Sequence, residues 1–212
     1  PPSSFDPHKT TGLGCDVNVE GFADLVIAVN DDRNRLLMNR EDPADPPSGR
    51  RFVDETSTSD FPTGTGFSHD VECHDFTGDT LPDIIIARRS ELKNLFLTNV
   101  DGDTFADESW RFPDVLDTTQ EVEICDLDGE GEPEVIFGNG DIVLWLAQAN
   151  RVLRFDPGTG RFGDAEASRG FNFRSTVDLT EDIECADMDG NGTNDIVLIG
   201  NTGARNILYI RQ

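Results

Sequence analysis

Apolar residues along this chain come in short β-branched runs with no helical period, and the same order of segments surrounds each run. The runs are Leu25-Val-Ile-Ala-Val29, Ile84-Ile-Ile-Ala87, Val135-Ile-Phe137 and Ile196-Val-Leu-Ile199. Each is preceded by a segment of alternating character, as in His69-Asp-Val71-Glu-Cys73 and Glu181-Asp-Ile183-Glu-Cys185. After it comes a turn rich in Asn, Asp, Gly or Ser. Then follows a second apolar segment opened by asparagine: Asn34-Arg-Leu-Leu-Met38, Asn94-Leu-Phe-Leu97, Asn150-Arg-Val-Leu153, Asn206-Ile-Leu-Tyr209. A Phe-x-Asp segment ends the first three units, at Phe52-Val-Asp54, Phe105-Ala-Asp107 and Phe162-Gly-Asp164. Period-2 segments of this length, bounded by turn residues, read as strands. Four short strands per unit, repeated fourfold, predict an all-β chain: a β-propeller of four four-stranded blades within a single domain, 1–212. Repeats 1 and 3 carry insertions, at Glu41–Gly49 and around Asp141–Gln148. Repeat 4 stops after its third strand. The N-terminal Ser4-Phe5-Asp6 supplies the missing type of segment, so the N-terminal strand is expected to close the last blade and leave no sheet edge exposed.

Between the first and second strand of every unit stands one nine-residue pattern. Its copies begin at Asp16, Asp75, Asp126 and Asp187, 59, 51 and 61 residues apart. Oxygen-bearing side chains occupy positions 1, 3, 5 and 9 of each copy. Repeat 4 offers Asp187, Asp189, Asn191 and Asp195, and repeat 2 offers Asp75, Thr77, Asp79 and Asp83. Repeat 3 offers Asp126, Asp128, Glu130 and Glu134, and repeat 1 offers Asp16, Asn18, Glu20 and Asp24. A loop that gathers hard oxygens at one point suits Ca2+, which takes six to eight of them. Magnesium fits less well, because it demands tight octahedral geometry and keeps its waters. An EF-hand is excluded by the flanking strands. The alternative to metal binding is a set of Asx turns whose side chains cap backbone donors.

The loop, the Asn-x-Leu strand and the Phe-x-Asp strand together resemble the FG-GAP/VCBS repeat over nearly the whole chain. That repeat builds the propellers of integrin α-subunits, of the ASPIC (cartilage acidic protein) group and of several propeller lectins. The family usually builds seven blades, so four is a departure. The resemblance implies a backbone carbonyl ligand at position 7: Thr193, Leu81, Glu132 and Phe22. It implies up to four Ca2+, with repeat 4 the best site, repeat 2 next, and repeats 1 and 3 after them. Val19 replaces a turn glycine in repeat 1, and glutamate lengthens the ligand arms in repeat 3.

Composition adjusts this picture in three ways. There are 42 acidic and 17 basic residues, for a net charge of −25. No basic patch stands ready for phosphates, which argues against nucleic acid. Hydrophobic residues make up 36 % and no apolar run is long enough to span a bilayer, so no membrane insertion is expected. The chain opens at Pro1 without a signal-type segment, as a mature or trimmed form would.

Four cysteines, Cys15, Cys73, Cys125 and Cys185, give one per repeat. This predicts a disulfide-bearing protein of an oxidising place: secreted, extracellular or periplasmic. Cys15 and Cys125 stand one residue before their loops, and Cys73 and Cys185 two. Because alternate strand residues face opposite sides, this offset points cysteines of adjacent units at each other. Either Cys73–Cys125 with Cys15–Cys185, or Cys15–Cys73 with Cys125–Cys185, satisfies it. The first is preferred because it would also fasten the closing blade. Four buried thiols are the plain alternative.

No catalytic constellation stands out. His8, His69 and His74 do not converge, and no nucleophile elbow, phosphate loop or zinc signature is present. The expected function is therefore a binding or adhesion module for a protein or a glycan, with structural calcium. The alternative is a calcium-dependent polysaccharide lyase or hydrolase. Candidate ligand contacts are Trp110, Phe112, Phe171, Phe173 and the pair Arg88-Arg89, while Trp145 follows a strand pattern and is read as packed.

Overall fold

A computed structural model describes residues 10–44, 49–62, 66–140, 147–165, 177–200 and 205–211. Among these there is no α-helix, only a single 3-10 turn at Ser109–Arg111. The chain divides into two compact units, 1–86 with 95–109, and 87–94 with 110–212.

In the first unit, β1 (Thr10–Cys15), β2 (Asp24–Asp32), β3 (Arg35–Glu41) and β4 (Arg50–Asp54) form an antiparallel meander. A second meander follows in β5 (Gly66–His74), β6 (Asp83–Arg88), β7 (Leu95–Asn99) and β8 (Phe105–Asp107). The tip of β2 also pairs with β5, at Asn30–Phe67 and Asp32–Gly66, which joins the two meanders into one eight-stranded sheet. The β-branched runs form the second strand of each meander because they can be buried on both faces. Ile84, Ile85, Ile86 and Ala87 have no accessible surface at all. Val17, Val26, Ala28, Leu36, Met38, Phe61, Val71 and Phe105 complete this core, with Phe61 and Phe105 edge to face.

The second unit repeats the plan. β9 (Thr119–Cys125), β10 (Glu134–Asn139), β12 (Arg151–Asp156) and β13 (Arg161–Asp164) form a four-stranded meander, and every residue of β10 is buried. β15 (Thr180–Ala186), β16 (Asp195–Gly200) and β17 (Ile207–Tyr209) form a three-stranded one. In the repeat 3 insertion, Gln148–Ala149 makes an extra strand, β11, which pairs with β14 (Val177–Asp178). Gly138 permits the close approach of β15 to β10: a Cβ there would meet Thr180 and Ile183 side-chain carbons at 3.0 and 3.1 Å. The N-terminal strand Ser4-Phe5-Asp6 expected to close the last blade lies outside the described residues.

Two sequence signatures turn out to be caps. The asparagine that opens each third strand accepts a hydrogen bond from the end of the second: Val29 N–H to Asn34, Arg88 N–H to Asn94, Asn139 N–H to Asn150 and Gly200 N–H to Asn206. Asn94 and Asn150 then donate to Thr119 and Thr180 at the start of β9 and β15, the first strands of the following meanders. The aspartate of Phe-x-Asp accepts from a hydroxyl residue two places on, Thr56 or Ser109. That hydroxyl in turn accepts the N–H of Leu36 or Phe96.

The cysteines form two disulfides, Cys15–Cys73 and Cys125–Cys185, each within one unit. The preferred pairing, Cys73–Cys125 with Cys15–Cys185, is therefore corrected. The offset argument holds, since each bond joins a cysteine one residue before its loop to one two residues before. Strand alternation fixes only that the two kinds face each other. The packing of β1 on β5 and of β9 on β15 decides which neighbours meet.

Candidate functional site

Each nine-residue loop is held open by its first aspartate, which accepts backbone N–H groups from residues three to five places on. Asp187 takes Gly190, Asn191 and Gly192, and Asp126 takes Gly129 and Gly131. Asp75 takes Gly78, Asp79 and Thr80, and Asp16 takes Glu20 and Gly21. The chain can wind this tightly because loop glycines 78, 129, 190 and 192 sit at positive φ, a region open to glycine at little cost. Val19 in loop 1 adopts φ 56° with a β-branched side chain, the one loop that lacks a glycine there.

The ninth residue does a different job. Asp24, Asp83, Glu134 and Asp195 are almost wholly buried. In each, one carboxylate oxygen accepts the N–H of the loop's second residue: Val17, Phe76, Leu127 and Met188. In three of them the other oxygen accepts an N–H from the third strand or just past it: Asn39, Asn99 and Arg211. The ninth side chain thus pins the loop across its own sheet. Burial raises the proton affinity of Asp24 and Glu134 and pushes Asp83 up to about 6. At Asp195 the Arg211 N–H outweighs burial and lowers it.

Loops also touch loops within a unit. Asn99 donates to the Val17 and Pro82 carbonyls, Asn194 donates to the Asp126 carbonyl, and Arg211 donates to the Leu127 carbonyl.

Two acidic triads can hold a metal ion: Asp126, Asp128 and Glu134, and Asp187, Asp189 and Asp195, each offering oxygens within 4.8 Å of one another. Positions 1, 3 and 9 therefore converge. The third position distinguishes the loops, because loops 1 and 2 carry Asn18 and Thr77 where the others carry aspartate. Thr77 Oγ1 is buried without a partner among the described residues, an acceptor that an ion or its water would take up. Loops 3 and 4 thus share three converging carboxylates at positions 1, 3 and 9, where loops 1 and 2 have two. The glutamates of loop 3 do not spoil it: Glu134 uses its length to reach the same point.

Position 5 differs again. Glu20 pairs with Arg50, whose guanidinium also lies 3.9 Å over the Phe22 ring, and Glu130 pairs with Arg154 at 3.0 Å. Of the seventh residues, Leu81 N–H caps Asp79 and Thr193 N–H caps Asn191, while the Glu132 side chain is exposed.

The candidate ligand residues separate. Trp110 is 49 % exposed in the 3-10 turn, with the Arg111 and Arg161 guanidinium carbons 5.0 and 4.9 Å from its ring centre. Phe112 is buried between Phe137 and Phe162, a core residue rather than a ligand contact. Arg88 and Arg89 are half-buried, and Arg88 donates to the Lys93 carbonyl. Phe171, Phe173 and Trp145 lie outside the described residues, as does His8. The His74 ring packs on Phe76, and the His69 carbonyl accepts from Thr11.

On β5, burial, with the Asp70 carboxylate adding to it, pushes Glu72 up to about 7. The folded state therefore holds this proton more tightly than the unfolded chain does. Below the unfolded value, near 4.5, the carboxyl is protonated in both states and costs nothing. Stability is lost as pH rises from there through about 7. Melting in chelator, Glu72→Gln should match the parent near pH 4 and exceed it progressively toward pH 7.5. A constant difference across that range would show that Glu72 titrates normally.

No known family model matches the chain, and no curated protein matches it. Among solved structures, a lectin of Agrocybe aegerita, described as specifically recognising non-reducing terminal N-acetylglucosamine, is similar at 20 % identity with a TM-score of 0.52. The likeness covers 95 % of this chain and 49 % of the lectin, so the chain spans about half of that protein's length. It establishes a shared all-β architecture. The two disulfides suit an oxidising environment. No helix among the described residues is long and apolar enough to cross a membrane.

Proposed function

We propose that this protein is a secreted, FG-GAP/VCBS-type propeller module that binds a glycan and is stiffened by calcium in its repeat loops. The observation that carries the glycan reading is the likeness in fold, over almost the whole chain, to a lectin. Trp110 supplies a residue for it. It is an indole half open to solvent with two guanidiniums over its ring, which puts aromatic surface and hydrogen-bond donors together, the pairing that sugar rings and their hydroxyls require.

Calcium is supported by the two triads and by Thr77 Oγ1. When bound, the ion would neutralise clustered carboxylates. Asp187, Asp189 and Asp195 would hold it in loop 4, and Asp75, Asp79 and Asp83 would hold it with Thr77 in loop 2. The loops lie between strands and are braced by them, so the ion's part is structural and recognition falls to residues outside the repeat.

A glycan array that includes N-acetylglucosamine-terminated chains tests this reading. Binding is expected, reduced by chelator and abolished by Trp110→Ala with the melting temperature unchanged. An array without a hit, or full binding by the Trp110 variant, would overturn it. A closed four-blade ring belongs to the same proposal. Small-angle scattering should return a compact monomer, and a particle of twice the mass would mean that blades complete their ring in pairs.

A further inference from the structure

Loop 3 and loop 4 gather the same three carboxylates, yet they differ in what stands beside them. In β12, Glu134 is paired in register with Arg154. The Arg154 guanidinium reaches Asp128 Oδ2 at 3.4 Å and Glu130 Oε2 at 3.0 Å. The Asp128 side chain is only 4 % exposed, so its charge is poorly served by water and the guanidinium is its counter-charge. In repeat 4 the corresponding strand pairs Ile196 with Tyr209, and the next residue is Ile210. By the same count repeats 1 and 2 place Met38 and Thr98 there. Only repeat 3 has a cation at this place. The fifth residue follows suit. Glu130 is long enough to hold the arginine from the other side, as Glu20 holds Arg50 in loop 1. Asn191 in loop 4 instead caps Thr193.

We propose that Arg154 is the built-in counter-ion of loop 3, so that this loop is held closed by a guanidinium while loop 4, with Ile210 in the same register, depends on a divalent cation. The inference rests on the calcium reading of loop 4 given above. A divalent ion entering loop 3 must displace the guanidinium from Asp128 or sit beside it. Either raises the cost of binding through like-charge repulsion across a few ångströms, on the order of tenfold or more in affinity. The arginine has somewhere to go, because it also lines an open cavity of about 370 Å³ with Phe155, Asp156, Pro157 and Asp164. Arg154 thus sets loop 3 apart from loop 4 as a metal site, a distinction that the nine-residue pattern itself does not carry.

The test exchanges the two residues. Calcium binding is measured by titration calorimetry on the whole chain, with Asp187→Asn to silence loop 4. In that background Arg154→Ile should add one site, or tighten the weakest by tenfold or more, and a further Asp126→Asn should remove the gain. In the otherwise natural chain, Ile210→Arg should weaken the loop 4 site by a similar factor. Melting supplies a second readout. Arg154→Ile should melt lower than the parent in chelator, and calcium should recover more of that loss than it adds to the parent. If Arg154→Ile leaves calcium binding within twofold and its melting loss is not recovered by calcium, the inference falls although loop 4 may bind. If Asp187→Asn changes nothing in an otherwise natural chain that binds calcium, the reading of loop 4 falls. If neither the parent nor the Arg154 variant binds calcium, both fall.

Discussion

Replacing Asp83 with alanine is expected to lower stability by about 3 kcal/mol or more, in chelator as well as in calcium. Asp83 has no accessible surface, and its two oxygens accept the N–H groups of Phe76, Thr77 and Asn99. Alanine leaves these donors without their acceptor, at roughly 1–3 kcal/mol for each one that stays buried and unpaired. Relief of the buried charge offsets part of the loss, since burial already pushes Asp83 up to about 6. For a chain of this size the remainder corresponds to roughly 6–12 °C in melting temperature. Asp79→Ala is the control. Asp79 is exposed and caps only Leu81, so its loss should stay within about 0.5 kcal/mol in chelator and show itself only when calcium is added. Equal effects of the two variants in chelator would mean that the ninth residue is no more than one ligand among four.

That contrast shows how much of the site was legible. Spacing alone located all four loops and their oxygens, because the repeat is written in side chains. It did not show that position 9 is a pin, since the donors Asn39, Asn99 and Arg211 come from a different strand, reached only when the sheet forms. The strands were legible for the same reason as the loops: β6 and β10 are buried on both faces and so read as unbroken apolar runs.

Arg154 stands out in the sequence once the repeats are superposed. Aligning the third strands by their opening asparagine places it opposite Met38, Thr98 and Ile210. Phe112 misled because it follows an irregular turn, where no period distinguishes a packed ring from an offered one, and only its contacts with Phe137 and Phe162 settle it. Glu134 converges with Asp126 and Asp128 as Asp195 does with Asp187 and Asp189, so the longer side chain reaches the shared point.

Reducing the disulfides, or replacing Cys125 and Cys185 together by serine, should cost a further about 4 kcal/mol per bond. The bonds close segments of 58 and 60 residues, and the chain-entropy model assigns about that much to loops of this length. Each bond joins the first strands of two consecutive repeats, β1 to β5 and β9 to β15, at the residues that lead into their loops. The constraint therefore acts where the acidic loops begin, and in a chain of net charge −25 those loops repel one another most when no cation is bound. Loss of a disulfide and removal of calcium should consequently be more than additive, because each removes the restraint that the other relies on. The measurement is a cycle of four melts, with and without the Cys125–Cys185 bond and with and without calcium. Simple additivity within about 0.5 kcal/mol would show that the bond and the ion act on separate parts of the fold, and would place the calcium-sensitive step away from β9 and β15.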